Sequence, residues 1–331
     1  MSKSYRSTVN ESIGVLPEST TKSRSFWADA LLRLVKTKPL GTLGALITLI
    51  LLFAGIFAPL IAPYGMNESI IADRLTPPSA KHLLGVDNVG RDILSRVIYG
   101  ARISVIVGLS VSILATIVSL LIGTVSGYVG GKLDLIMQRA VDIVMSFPAL
   151  LLMMIFMAIA GPGMFQVIIV VGLLWGFIGS RIIRSAVIGV KENAYVTAGR
   201  SIGCSTTRIL VRHILPNIMA PAIILFTTRV PNAILVEASL SFLGFGIPPP
   251  TPSWGGMLSG TGRLYMFDAP WMAIWPGVAL AVVVYGINMF GDALRDILDP
   301  RLRGGIGRYG KSKQALRQKM KEKAGGNDRE D

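Results

Sequence analysis

The stretch IVMSFPALLLMMIFMAIAGPGMFQVIIVVGLLWGFIGS, residues 143–180, carries no charged side chain. A helix crosses a hydrocarbon core of about 30 Å with roughly 20 apolar residues, so the run is about twice as long as one crossing needs. Gly161-Pro162-Gly163 cuts it, because proline cannot continue a helix and glycine turns the chain readily. Two membrane helices joined by a tight turn follow, and they fix the class as an all-α integral membrane protein.

Working outward, residues 40–62, 103–129, 214–235 and 272–290 are also long and apolar enough to span, the last kinked by Pro276. Six crossings result. Residues 40–62 exceed a signal-peptide core, follow a long basic tail and lack a small-residue cleavage pattern, so they are expected to stay uncleaved. Composition agrees: of 331 residues, 51% are apolar and 16% charged, where a soluble domain carries about a quarter. The mean hydropathy is +0.58. Cys204 is the single cysteine, which rules out an intrachain disulfide and a thiolate metal cluster.

The formal net charge of +14 sits at the two ends and in one internal segment, a pattern of loops bordering a bilayer rather than of a nucleic-acid surface. Lys and Arg are disfavoured in translocated loops, which orients the chain. Arg33, Lys36 and Lys38 precede the first span and place the N-terminus in the cytoplasm. Six crossings then put Arg181, Arg184, Lys191, Arg200, Arg208 and Arg212 inside with the C-terminal tail. Arg74, Lys81, Arg91 and Arg96 break the rule, lying outside among Glu68, Asp73, Asp87 and Asp92. The expected organisation is a cytoplasmic tail (1–39), a first helix (40–62) and an external segment (63–102). A five-helix core (103–295) follows, with a cytoplasmic docking loop (184–213) and an external loop (240–270), and a basic cytoplasmic tail (296–331) closes the chain.

Gly305-Ile306-Gly307-Arg308-Tyr309-Gly310-Lys311-Ser312 matches the phosphate-cradling loop of nucleotide-binding proteins letter for letter. That loop works between a buried strand and a helix, and Asp299-Pro300-Arg301-Leu302-Arg303 cannot form the strand. The match is therefore set aside. His82 and His213, the two histidines, fall on opposite sides of the membrane and cannot share a metal. No nucleophilic triad or paired carboxylate is visible, so the chain is not expected to be an enzyme.

Ionisable residues within spans are functional suspects. Asp142, Arg229 and Glu237 are the candidates to line a pathway, with Asp292 at the end of the last span. For Arg229 a pathway cation and a structural ion pair stand level; for Asp142, Glu237 and Asp292 proximity to a helix end favours the structural role. Gly123-x-x-x-Gly127-x-x-x-Gly131 and Gly172-x-x-x-Gly176 put small residues on one helical face for close packing, within the chain or between subunits.

Residues 192–217 read as a helix, a turn at Gly203 and a second, basic helix. Small residues at Ala198 and Gly199 suit either a docking knob or an amphipathic connector. Here the chain resembles the permease subunits of ABC importers, whose EAA motif runs Glu-Ala-Ala, three residues, Gly, nine residues, then Ile-x-Leu-Pro. The corresponding positions are Thr197-Ala198-Gly199, Gly203, and His213-Ile214-Leu215-Pro216. The spacing is preserved; Thr197, Gly199 and His213 depart from the motif, and Thr197 lacks the charge ascribed to its Glu.

A narrower resemblance spans about residues 34–304. His82-Leu83-Leu84-Gly85-Val86-Asp87, Gly90-Arg91-Asp92-Ile93-Leu94-Ser95-Arg96 and Tyr99-Gly100-Ala101-Arg102 look like the segment after the first span in the dipeptide, oligopeptide and nickel group. Glu237-Ala238-Ser239-Leu240-Ser241-Phe242-Leu243-Gly244-Phe245-Gly246, then Ser253-Trp254-Gly255, resemble its external loop, and Asp296-Ile297-Leu298-Asp299-Pro300-Arg301 its close. These mark the C-type permease. The resemblance implies the type I fold with six transmembrane helices in a bacterial inner membrane. It also implies a homologous B-type permease partner, two ATPase subunits that bind the ATP and Mg, and an external substrate-binding protein. ATPase docking would fall on Tyr195, Ala198, Gly199, Gly203, Arg208, His213 and Pro216. Small peptides are the expected cargo, with nickel and other small solutes open; a secondary transporter or a membrane scaffold is the alternative class.

Overall fold

A computed structural model describes residues 34–298, which are helical and contain no strand, only an isolated bridge between Val86 and Asp92. The first 33 residues and the basic tail past residue 298, with the phosphate-loop match at 305–312, lie outside the described residues.

Helix α1 spans Pro39–Ile56, and a kink at Phe57 leads to the short α2, Ala58–Ile61. A 3-10 turn at Ile71–Asp73 opens the polar segment before α3, Ile93–Val129. Helix α3 starts ten residues before the hydropathy-based span because Asp92 caps it, accepting from the Ser95 amide at 2.8 Å. Arg96 lowers the hydropathy of that first turn without weakening the helix.

Gly130 and Gly131, both at positive φ, separate α3 from α4, Gly131–Met145. Here the structure corrects the opening reading. The third crossing is not one straight helix: α4 and α5, Ala149–Ala160, meet at an angle of 91° across Ser146-Phe147-Pro148. Proline disfavours helical geometry at the residue before it, so the charge-free run held a second break at Pro148. At about 1.5 Å per residue, α5 alone is too short for the bilayer core. Five helices are long and apolar enough to span, and six crossings result if the bent pair counts as one. Asp142 accordingly sits on the amphipathic arm α4 rather than in a straight span.

Helix α6, Met164–Lys191, follows the Gly-Pro-Gly turn as expected. Then come α7, Ala194–Ser201, α8, Thr206–Ile209, a π-helical turn over Leu210–Ile214, and α9, Leu215–Phe242. Short helices α10, Trp254–Leu258, and α11, Gly260–Leu264, lead to α12, Trp271–Leu298.

The most extensive contact is between α3 and α6. A Cβ at Gly123 would come within 2.7 Å of Ile183, and one at Gly172 within 2.6 Å of Leu114. The glycine stripes therefore pack inside the chain; in lipid, where apolar burial gives little drive, such close backbone approach is what holds helices together. Gly131, the third glycine of the first stripe, instead lies in the α3–α4 turn with open space around it. Helix α12 packs on α1, and α9 on α3 and α12. Leu40, Leu49, Phe53 and Leu60 remain exposed on α1 and α2, as lipid-facing side chains do.

Candidate functional site

Helices α6 and α9 run antiparallel, and α7, α8 and the π turn form a hook joining them at one face. The hook is seated firmly. Val196, Ile209, Ile214 and Ile218 are fully buried against Ile183 and Val187 of α6, with Tyr128 at the end of α3 packed beside them. Lys191 donates to the Tyr128 carbonyl at 2.6 Å, and the Arg200 guanidinium lies 5.1 Å from the Tyr128 ring centre. Such cation–π contacts contribute about 0.5–1 kcal/mol when exposed. The buried side chains run Ile209, Ile214, Ile218, Ala222, a step of five followed by steps of four. The π turn supplies the fifth residue and keeps Ile209 in the same seam.

The outer surface of the hook is unfinished. Tyr195 is exposed and its ring lies 6.3 Å from that of half-buried His213; Ala198, Arg208 and Pro216 are exposed. Gly203 turns the chain at φ +79°, and neither there nor at Gly199 would an added Cβ meet any atom within 4 Å. The structure thus brings six of the docking candidates onto the hook and places Pro216 in the first turn of α9, directly after it. Sequence reading missed Ile202, 80% exposed, and Val211, 59% exposed. Apolar side chains amid Arg200, Arg208 and Arg212 were the available signal.

The three pathway candidates do not converge. Asp142 on α4 pairs with Arg181 of α6 and lies 3.6 Å from Arg139. Nearby, Asp134 receives two parallel bonds from Arg184, at 2.6 and 2.5 Å, so α4 is clamped to α6. Arg229 is buried among α3, α6 and α9; it donates to the Trp175 carbonyl at 2.6 Å and to Ser119 Oγ at 3.1 Å. Gly179 leaves the room its guanidinium occupies. Glu237, two turns further along α9, accepts from Ser241 Oγ at 2.7 Å while Oε2 has no partner among the described residues.

At the opposite face the polar segment folds tightly. His82 is buried between Asp92 (3.0 Å) and Asp73 (3.3 Å) and stacks on Tyr64. Lys81 pairs with Asp73 at 2.5 Å and Arg91 with Asp87 at 2.7 Å, so two of the four basic residues that broke the charge rule are closely paired. The Lys81 hydrogen bond, then that of His82, holds the Asp73 carboxyl below the usual carboxylate range. Two tryptophans lock this segment to the later loop. Trp271 Nε1 donates to the Val86 carbonyl at 3.1 Å with its indole over Gly85, and Trp254 Nε1 donates to Val97 at 3.0 Å over Gly100.

Helices long and apolar enough to cross a bilayer, packed around a clamped core with a well-seated hook at one face, define a polytopic membrane protein. Residues 119–304 match the family described as binding-protein-dependent transport system inner membrane component, and residues 25–78 match the N-terminal TM domain of oligopeptide transport permease C. The chain is 38% identical over 282 residues to the oligopeptide transport system permease protein OppC of Bacillus subtilis, covering 85% of this chain and 92% of that one. It is 39% identical over 287 residues to the dipeptide transport system permease protein DppC of Alkalihalophilus pseudofirmus (87% and 94%). With the di/tripeptide transport system permease protein DppC of Pseudomonas aeruginosa it shares 40% over 270 residues (80% and 89%). The chain belongs to the binding-protein-dependent transport system inner membrane component family, as a C-type permease. It is a multi-pass inner-membrane transport subunit and not an enzyme.

Proposed function

We propose that this permease forms half of the translocation pathway of an ATP-driven importer of short peptides. A homologous B-type permease supplies the other half. The hook receives one of two cytoplasmic ATPases, which carry the ATP and Mg, and a substrate-binding protein delivers cargo at the opposite face. Both termini are then cytoplasmic. The cited relatives are named for oligopeptides and dipeptides, which sets peptides ahead of nickel.

The observation that carries this reading is the contrast within the hook. Its inner side is fixed to α3, α6 and α9, whereas its outer side exposes Tyr195, Ala198, Gly203 and Arg208. A force applied there reaches three membrane helices without being absorbed by a loose linker. Closure of the ATPase pair would then rock the helices between inward and outward openings. Arg229 and Glu237, buried in α9, are candidates to respond to that motion, and Asp142 holds α4 through Arg181.

The test is to fill the open space. An added Cβ would meet no atom within 4 Å at Gly199, which is itself buried, or at exposed Gly203, so Gly199→Ala and Gly203→Leu are the variants, the second taking on about 1–2 kcal/mol of left-handed backbone strain. In the reconstituted importer both variants should insert normally and hydrolyse ATP while peptide uptake falls at least about tenfold, the effect of losing roughly 1.4 kcal/mol of coupling. Full coupled uptake in both would defeat the docking assignment.

A further inference from the structure

Beyond the hook, the face carrying Trp254 and Trp271 encloses a cavity of about 210 Å³. The start of α3, the α5–α6 turn at Pro162, the end of α9, the proline-rich loop and the start of α12 all contribute to it. Its charged lining residues are Asp87, Arg91 and Arg96, so two guanidinium groups face one carboxylate. That carboxylate is already engaged: Oδ1 accepts the Val89 and Arg91 amides, both at 2.9 Å, and Oδ2 accepts Arg91 Nε at 2.7 Å. Arg96 is left poorly matched. Its Nε lies 3.9 Å from Asp87, and Nη1 makes two long bonds, 3.3 Å to the Met66 carbonyl and 3.4 Å to that of Pro250. Nη2 has no hydrogen-bond partner among the described residues and is not fully buried, although Arg96 as a whole is only 6% exposed. Glu237 stands behind Ser241, outside the lining.

A buried arginine is costly unless its charge and its planar fork of donors are matched. We propose that this cavity is an anion site that takes one carboxylate against Arg96 and Arg91. A monoanion offsets the single excess positive charge, and the flat carboxylate fits the guanidinium fork. Thr251 adds a hydroxyl to the lining. The volume admits an acidic side chain or the terminal residue of a peptide and excludes anything the size of a folded loop. Two sources can present such a group, given the importer reading: the C-terminus of the cargo, or an Asp or Glu of the docked binding protein.

Binding can be measured without transport, which keeps a failure here distinct from a failure of the importer reading. With this chain and its partner permease in nanodiscs, saturation-transfer NMR would follow N-acetylglycine and its uncharged methylamide. N-acetylglycine should bind and the methylamide should not. Arg96→Gln should weaken binding about tenfold, the loss of one charge-assisted bond. Arg91→Gln, at a more accessible position, should weaken it a few-fold and serves if the first variant fails to assemble. Asp87→Asn should strengthen it several-fold, since the cavity gains net charge; a merely structural role for these residues predicts weakening in all three. No binding by wild type, or weaker binding on Asp87→Asn, overturns the proposal. In the full importer, Arg96→Gln should either abolish the preference for a dipeptide over its C-terminal amide, assigning the peptide terminus, or raise the half-saturating concentration of binding protein equally for both, assigning the acidic side chain. If neither changes, no carboxylate is received there and the proposal falls.

Discussion

The two faces of the molecule are built on opposite plans. At the Trp254 face, the space beside Gly85 and Gly100 is occupied by an indole ring from a distant part of the chain, and Asp73, His82 and Asp92 satisfy one another. At the hook face, an added Cβ at Gly203 or at buried Gly199 would meet no atom within 4 Å, and apolar Ile202 and Val211 are exposed. The same residue type thus has two uses: a glycine that admits a neighbour already present, and one that keeps a surface low. The first completes a fold, and the second leaves a surface open.

The sharpest way to break that contrast is one substitution made at both faces. Gly100→Ala puts a Cβ 2.7 Å from Trp254 and should cost about 2 kcal/mol, read as a lowered melting temperature of the purified permease. Gly199→Ala adds a Cβ that meets no atom within 4 Å and should leave stability within about 0.5 kcal/mol of wild type; a drop as large as that of Gly100→Ala would erase the distinction. A smaller effect is expected at the clamp that steadies the hook side. Asp134→Asn loses the charge on a two-bond pair that is partly open to solvent, and about 1–2 kcal/mol of stability should go with it. The smallest concerns pH at the opposite face. Because the folded Asp73 carboxyl titrates below its unfolded value, its contribution is complete above the ordinary range near about pH 4 and disappears as pH falls through the depressed folded value. Asp73→Asn should therefore flatten the acid limb of the melting temperature against pH; an unchanged limb would show that the Lys81 and His82 contacts add nothing to this face.

Much of this was legible in advance, for physical reasons that differ by element. Long apolar runs announce spans because lipid tolerates little else, and the glycine stripes announced the α3–α6 seam. The hook was readable from a glycine stop and a basic second helix, and its spacing survived the loss of the Glu replaced by Thr197. Two features escaped. Pro148 lay inside a run whose uniform apolarity hid the elbow between α4 and α5, since hydropathy averages over a single breaker. The Arg91 and Arg96 cavity needs residues 87–96 and 241–259 to meet, and no local pattern states that meeting. The charge rule did flag those arginines as anomalies, and the structure sets two of them on one cavity.

The π turn before Pro216 fixes an angle. A turn containing one residue more than an α-helical one rotates everything upstream by about 100° around the axis relative to an uninterrupted helix. Without it, Ile209 would face away from Ile214 and Ile218 and leave the seam they share with Ile183 and Val187 of α6. The length of that single turn therefore sets which side chains of the hook are locked inside and which are left outside.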